Sequence, residues 1–335
     1  MKSNTLKQIA QKLHEANRIL IYPHVLMDGD AFGSSVALCC GLKKSGKEAT
    51  IIPEGDEDAP SYLKFIHNEC SIRDKNIMDE PDLCIALDCS DTSRLEGRLD
   101  LFYSGKTSIN IDHHITNSFF ADMNYVDTQA SSTGEIVFQL LKEMDIHIDK
   151  EIAEALYVSI STDTGGFQYT NTTKKTHLIV SELFDSEIDL EKISVELYES
   201  MRFEKLKLIR EILNTMEVFF DGKAVIALAT LDMIERAGAL MDETEGIVEL
   251  LRGISGVEIA CLLKEKADNN IKVSLRAKTY GDVAEIAGQF KGGGHKKAAG
   301  CTIYQGMEEV KSLMKEAIRT HLQSAMLKIN EQETR

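Results

Sequence analysis

The sequence contains no run approaching the ~20 apolar residues that a membrane span needs, so no membrane association is expected. No secretory leader is expected, since Met1-Lys2-Ser3-Asn4 opens into an amphipathic segment and not an apolar core. The seven cysteines (39, 40, 70, 84, 89, 261 and 301) form no CxxC pair, and most sit in apolar runs such as Val36-Ala37-Leu38-Cys39-Cys40. That odd, scattered set argues against a zinc ribbon and reads as reduced core thiols of a cytoplasmic protein. Basic residues are scarce, 38 against 54 acids, for a net charge of −16. Long nucleic acids are held by many Lys and Arg contacts to phosphates, so a long strand is not the expected partner. The deficit is concentrated in residues 1–216, with 36 acids and 22 bases, whereas residues 217–335 hold 18 and 16. All four prolines lie before residue 82, so no Pro-rich linker divides the chain. Neither a GxSxG elbow nor a P-loop is found, which disfavours a serine nucleophile and ATP hydrolysis.

At 335 residues, of which 43 % are apolar, the chain has material for about two domains with sizeable cores. The spacing predicts a helix over 5–16, a strand over 18–22, a helix over 31–45 and a strand over 49–52. Asp30 is the expected N-cap of the second helix and Gly46 its stop. Strands at 83–87 and 107–111 and helices at 131–144 and 150–162 follow. Continuous apolar strands alternating with helices indicate an α/β, parallel, doubly wound sheet. Residues 174–216 read as successive helices. Beyond 217 the texture becomes α+β: strands at 225–229, 258–263 and 271–275, helices at 243–252, 282–290 and 307–328. Asp268-Asn269-Asn270 suggests a hairpin turn.

Acids and histidines recur where apolar runs end. His24, Asp28 and Asp30 follow Ile19-Leu20-Ile21-Tyr22; Asp88 follows 83–87; Asp112-His113-His114 follows Ser108-Ile109-Asn110-Ile111. Asp163 follows Tyr157-Val158-Ser159-Ile160 and is read with the others as a strand end. Sites in open parallel sheets form outside the carboxyl ends of the strands. Each cluster alone has an ordinary reading as a turn or cap, with Gly29 permitting a tight bend. Together they make a cage for divalent cations. Imidazoles and carboxylates without a thiol disfavour structural zinc and suit Mn²⁺.

These motifs resemble the four signatures of the DHH phosphoesterases, a superfamily that includes RecJ exonucleases and manganese-dependent inorganic pyrophosphatases. Gly292-Gly293-Gly294-His295-Lys296-Lys297-Ala298-Ala299-Gly300 resembles the glycine-rich signature of the associated C-terminal domain. The resemblance runs from about residue 5 to 325 and fits the oligoribonuclease (nanoRNase) and 3′,5′-bisphosphate nucleotidase subfamily best. It implies a catalytic domain over 1–190, a helical connector over 191–216 and a substrate-binding domain over 217–328. It further implies one Mn²⁺ on His24, Asp28 and Asp88 and a second on Asp30, Asp88, His113 and Asp163, with Asp88 bridging. His114 would face the substrate phosphate and Asp112 would orient a neighbouring histidine. Paired cations can lower the pKa of a shared water and clamp a phosphate ester.

In the second lobe, three glycines can present backbone N–H groups to an anion as a nest, with His295, Lys296 and Lys297 adding to it. Arg276 resembles a nucleotide-contacting arginine of the family. Ser131-Ser132-Thr133-Gly134-Glu135 reads as an N-cap with a capping box. One departure is notable: relatives carry Asn-Pro where this chain has Leu26-Met27, which removes a stiffening proline from the first loop. The expected substrates are short oligoribonucleotides, linear dinucleotides such as pApA, and 3′-phosphoadenosine 5′-phosphate (pAp). A cyclic-dinucleotide phosphodiesterase and a metal- and nucleotide-binding module without turnover are the alternatives, and a homodimer is left open.

Overall fold

A computed structural model of the chain describes residues 3–55, 59–66, 80–266 and 270–333, with side chains described through 327. The chain divides into two units, Met1–Ser200 and Met201–Arg335, each with its own sheet. No helix among the described residues is long and apolar enough to cross a membrane.

In the first unit the strands are β1 (Arg18–Pro23), β2 (Glu48–Ile51), β3 (Leu83–Leu87), β4 (Thr107–Asp112) and β5 (Met123–Val126). The helices are α1 (Leu6–Glu15), α2 (Gly29–Lys44), α3 (Leu99–Phe102), α4 (Thr133–Glu143), α5 (Lys150–Asp163), α6 (Lys174–Phe184) and α7 (Leu190–Ser194). All strands run parallel in the order β2-β1-β3-β4-β5. Ile19, Ile21, Ile85, Leu87, Ile109 and Ile111 face one buried cluster; Leu20, Tyr22, Cys84 and Ala86 face another. Burial on both faces accounts for strands that are apolar throughout. The chain leaves β1 in opposite directions to reach β2 and β3, so the switch point of the sheet lies between β1 and β3.

The expected elements are present, with differences at their ends. Asp28, not Asp30, caps α2: its Oδ1 accepts from the N–H groups of Asp30 (3.1 Å) and Ala31 (3.0 Å). Asp30 thereby enters the first helical turn, and its side chain is released for other partners. Gly29 is needed for packing and not for a bend, since a Cβ there would lie 2.3 Å from Thr162 Oγ1 of α5. Asp163 is the last residue of helix α5 and not a strand end. Strand β5 was not anticipated, because Met123-Asn124-Tyr125-Val126 is a short, half-buried edge without an apolar run.

The second unit contains α8 (Phe203–Leu213), β6 (Glu217–Phe219), β7 (Ala224–Ala229), α9 (Leu231–Ala237), α10 (Ile247–Arg252), β8 (Ile259–Glu265) and β9 (Ile271–Ala277). It continues with α11 (Val283–Gly288), β10 (Gly293–His295), β11 (Ala298–Ile303) and α12 (Met307–Glu333). The mixed sheet runs β10-β11-β9-β8-β7-β6, with only β7 and β8 parallel. Leu208 and Ile212 of α8 are fully buried in this unit's core. The segment expected as a connector is therefore split, its second half belonging to the second unit. β8 and β9 form the expected antiparallel pair; Asp268 and Asn269 of the expected turn lie outside the described residues.

Candidate active site

The carboxyl ends of β1, β3 and β4 flank the switch point, and each delivers part of one cluster. His24 and Asp28 follow β1; Asp88 follows β3; Asp112, His113 and His114 end β4. Asp30 comes from the first turn of α2 and Asp163 from the last residue of α5. The geometry divides them into two groups around Asp88. His24 Nε2 lies 3.6 Å from Asp28 Oδ1 and 3.5 Å from Asp88 Oδ2. His113 Nε2 lies 3.6 Å from Asp88 Oδ1 and 3.7 Å from both Asp30 Oδ2 and Asp163 Oδ2. Asp88 Oδ2 thus faces His24 and Oδ1 faces His113, with His114 Nδ1 also 3.5 Å from Oδ1.

The imidazoles are oriented from behind. His24 Nδ1 meets the Val25 carbonyl at 2.6 Å and His113 Nδ1 meets that of Ala130 at 3.3 Å, which turns both Nε2 atoms toward the carboxylates. The β1 loop is pinned further by Val25 N donating to Arg94 O (2.9 Å). Leu26, next in that loop, sits exposed at φ 58°. Asp112 is fully buried and committed elsewhere: Oδ1 accepts from His114 Nδ1 (2.7 Å) and His113 N (2.8 Å), Oδ2 from Asn117 Nδ2 (2.6 Å). It orients His114 and does not face the two groups as Asp88 does.

Residues 131–134 contribute what the sequence reading missed. Ser132 does cap α4, its Oγ accepting from Glu135 N (3.1 Å). The Glu135 carboxylate, however, accepts from Ser131 N (3.2 Å) and Ser131 Oγ (2.8 Å), so the capping box is displaced by one residue. The N–H groups left open at the start of α4 bind Asp30: Thr133 N at 2.7 Å and Gly134 N at 3.0 Å. Ser159 Oγ donates to the same carboxylate, and Thr133 Oγ1 donates to Asp88 Oδ1 (3.0 Å). Ser, Thr and Gly at a helix start are the signal, but only the fold shows which anion they meet.

The electrostatics are those of an acid cage. Burial alone would depress His24 and His113. The Asp28 and Asp88 carboxylates outweigh it for His24, lifting it to about 9. Asp163, Asp88 and Asp30 lift His113 to about 10. Burial, with Asp88 and Asp163 adjacent, pushes Asp30 well above the carboxylate range. Asp163 rises to about 6 through burial and the like charges of Asp88 and Asp28, against the pull of His113. Burial would raise Asp112 as well, but the hydrogen bonds from His114 and Asn117 bring it to about 2. Among the described residues, Asp28, Asp30, Asp88 and Asp163 have only imidazoles as ion-pair partners. His24, Asp28 and Asp88 offer ligand atoms within 4.8 Å of one another, as do Asp30, His113 and Asp163. Four crowded carboxylates with nitrogen donors and no Lys or Arg fit a pair of divalent cations.

In the second unit, register places Arg276, Ala298 and His295 in one row across β9, β11 and β10, with Ser274, Gly300 and Gly293 in the next. Ile271, Val273, Leu275 and Ala277 point to the core, so these rows lie on the opposite face. Arg276 Nε donates to Glu249 Oε1 (2.6 Å) and Nη1 to Leu275 O (3.0 Å). The glycine tract is an extended edge strand and not a nest, and Gly292 N is already bonded to Ala287 O (2.9 Å). Lys297 is an anchor: its Nζ donates to the carbonyls of Thr279 and Gly281, beside Glu258, whose Oε1 accepts from Tyr280 N and Gly281 N at 2.7 Å.

Comparison with known proteins agrees with this arrangement. The DHH family N-terminal domain matches residues 18–160, and the DHHA1 domain matches residues 221–323. A probable bifunctional oligoribonuclease and PAP phosphatase NrnA of Streptococcus mutans is 30 % identical, covering 92 % of this chain and 99 % of its own. The bifunctional oligoribonuclease and PAP phosphatase NrnA of Thermus thermophilus is 32 % identical, covering 92 % of this chain and 91 % of its own. The crystal structure of an exopolyphosphatase-related protein from Bacteroides fragilis superposes with a TM-score of 0.83 at 28 % identity, covering 94 % and 95 % of the two chains. With its cage assembled at the switch point and both domains matched in order, this chain belongs to the DHH family.

Proposed function

We propose that the chain is a hydrolase of the two-metal phosphoesterase type, cleaving short oligoribonucleotides, linear dinucleotides such as pApA, and pAp to mononucleotides. The observation that carries the reading is the division of Asp88, whose Oδ1 is near His113 and whose Oδ2 is near His24. One cation would be held by His24, Asp28 and Asp88, the other by Asp30, Asp88, His113 and Asp163, with Mn²⁺ suited to the mixed N/O donor set. Such a pair, when bound, supplies Lewis acidity to a phosphate ester and lowers the pKa of water.

The chain's own residues supply the rest. With Nδ1–H committed to Asp112, His114 would offer Nε2 to a substrate phosphoryl oxygen. Asp112, held in turn by Asn117, would keep that tautomer through the reaction. Arg276 and His295, on one row of the second sheet, would contact a nucleotide's phosphate and base, with Gly292, Gly293 and Gly294 forming the adjoining edge. Relatives that carry the oligoribonuclease and PAP phosphatase name match nearly the whole chain, which supports the substrate class. The six described cysteines are buried thiols, which supports a cytoplasmic setting.

The test is product analysis with Mn²⁺ on an RNA trimer, a long RNA, pAp, pApA and cyclic di-AMP, run beside Asp88→Ala. Fast turnover of the trimer, pAp and pApA, reduced by about 10³-fold or more in the variant, is expected; that loss corresponds to roughly 4 kcal/mol of barrier. Preference for the cyclic substrate, silence across the panel, or an active Asp88→Ala enzyme would each overturn the reading.

A further inference from the structure

The candidate ligands differ in how firmly the protein holds them. Asp30 accepts from two backbone N–H groups and from Ser159 Oγ. Asp88 accepts from Thr133 Oγ1. Asp163 sits at the last position of α5, and the hydrogen bond given to its carboxylate among the described residues comes from Asn171 Nδ2, at 3.3 Å. The same nitrogen donates to the Asp163 carbonyl (3.1 Å) and to the Ser131 carbonyl (2.9 Å). Three oxygens converge on it, so the amide orientation is fixed: the reverse flip would set oxygen against oxygen. Asn171 Oδ1 is buried and meets no donor, so the side chain's hydrogen bonding runs through its nitrogen.

Ser131 begins the segment whose next residues hold Asp30 and Asp88. One amide therefore ties the end of α5, which carries Asp163, to the start of α4, which carries the donors to two other ligands. The segment from 171 onward is itself anchored there: Lys175 Nζ lies 2.9 Å from Glu135 Oε1, and Thr176 Oγ1 donates to Glu135 Oε2 at 3.3 Å.

We propose that Asn171 is a positioning residue that acts through Asp163, holding it in register with Asp30 and His113 and so setting the affinity of one cation position but not of the other. The inference rests on the two-cation reading above. His24 and Asp28 receive nothing from Asn171, and the Asp88 oxygen that faces them, Oδ2, is not the one Thr133 holds, so the group around them is expected to be indifferent to its loss. Partners behind a metal ligand typically change affinity by about 10–100-fold when removed.

Mn²⁺ binding to the full-length protein, counted by equilibrium dialysis and titration calorimetry, tests this. The wild type is expected to take two ions per chain. Asn171→Leu, which keeps the branched outline and removes the donor, is expected to keep one ion at wild-type affinity and bind the second about 10–100-fold more weakly. Turnover should then need more Mn²⁺ but approach the wild-type kcat at saturation. Asn171→Ala should repeat the pattern if the leucine variant folds poorly. Equal weakening of both ions, or two ions bound as in the wild type, would overturn the role of Asn171. A wild type that binds fewer than two ions would instead overturn the two-cation reading beneath it.

Discussion

Three adjacent glycines need not have one reason for being glycine. A Cβ on Gly292 would meet Gly300 O at 2.2 Å, and one on Gly294, at φ 137°, would meet Ala298 O at 2.5 Å. Both are required by the close approach of β10 to β11. Gly293 meets nothing within 4 Å and its φ is unremarkable, so the fold leaves it unexplained. Register puts it beside Gly300 and Ser274 on the face that carries Arg276 and His295. Gly294→Ala is expected to cost about 1–3 kcal/mol in thermal or urea unfolding. Gly293→Ala should leave stability within about 0.5 kcal/mol, yet raise KM for pAp while sparing a small generic phosphodiester. A Gly293→Ala enzyme with wild-type KM for pAp would remove this face from substrate recognition.

Among the elements, the strands of the first sheet are fastened at the end opposite the cage by Asp82. Its Oδ2 accepts from Asn17 N and Arg18 N, both at 3.0 Å, and its Oδ1 from Lys106 Nζ at 2.9 Å. Those contacts join the starts of β1, β3 and β4 and hold the carboxyl far below its ordinary range, the Arg18 N–H leading. Lys106 is mostly exposed, so the ion pair adds little and the backbone bonds carry the effect. Asp82→Ala should therefore lose about 1–2 kcal/mol at neutral pH. A carboxyl whose folded pKa is depressed contributes above its unfolded value of ~3.9 and loses that contribution as pH falls through the acid range. The gap between variant and wild type should narrow below about pH 4. A gap that holds constant down to pH ~2 would show that packing, not the ionised carboxylate, is responsible.

The same elements show what a sequence can disclose. Strands apolar throughout announced a sheet buried on both faces, and the acids and histidines after β1, β3 and β4 marked the cluster that the fold brings together. What stayed hidden depends on a partner distant in sequence. Asp28 and Asp30 compete for one cap, and Thr133, Gly134 and Ser159 decide it by offering Asp30 an alternative from more than a hundred positions away. Asn117 and Asn171 look like ordinary turn residues until their amides are seen against Asp112 and Asp163. Arg276 was identifiable as a strand-end cation, but its pairing with Glu249 follows from the packing of α10 against β8 and β9.

Over the whole molecule, charge and ligand placement are uneven in the same sense. Residues 1–216 hold 36 of the 54 acids, and every candidate ligand lies between His24 and Asp163. Each unit has its own sheet and core, so cation binding should stabilise the unit that supplies the ligands. A ligand bound only to the folded state at about 100 times its Kd adds roughly 2.7 kcal/mol. Hydrogen–deuterium exchange on the full chain, with Mn²⁺ against a chelator, should therefore show slowed exchange at the carboxyl ends of β1, β3 and β4, the start of α4 and the end of α5. Exchange in β7, β8 and β9 should be unaltered, because their amides open through a separate core. Uniform protection across both sheets would mean that the units open as one cooperative body. Protection confined to β9 and β10 would place the cation beside His295 instead, contrary to the division of Asp88 between two groups of ligands.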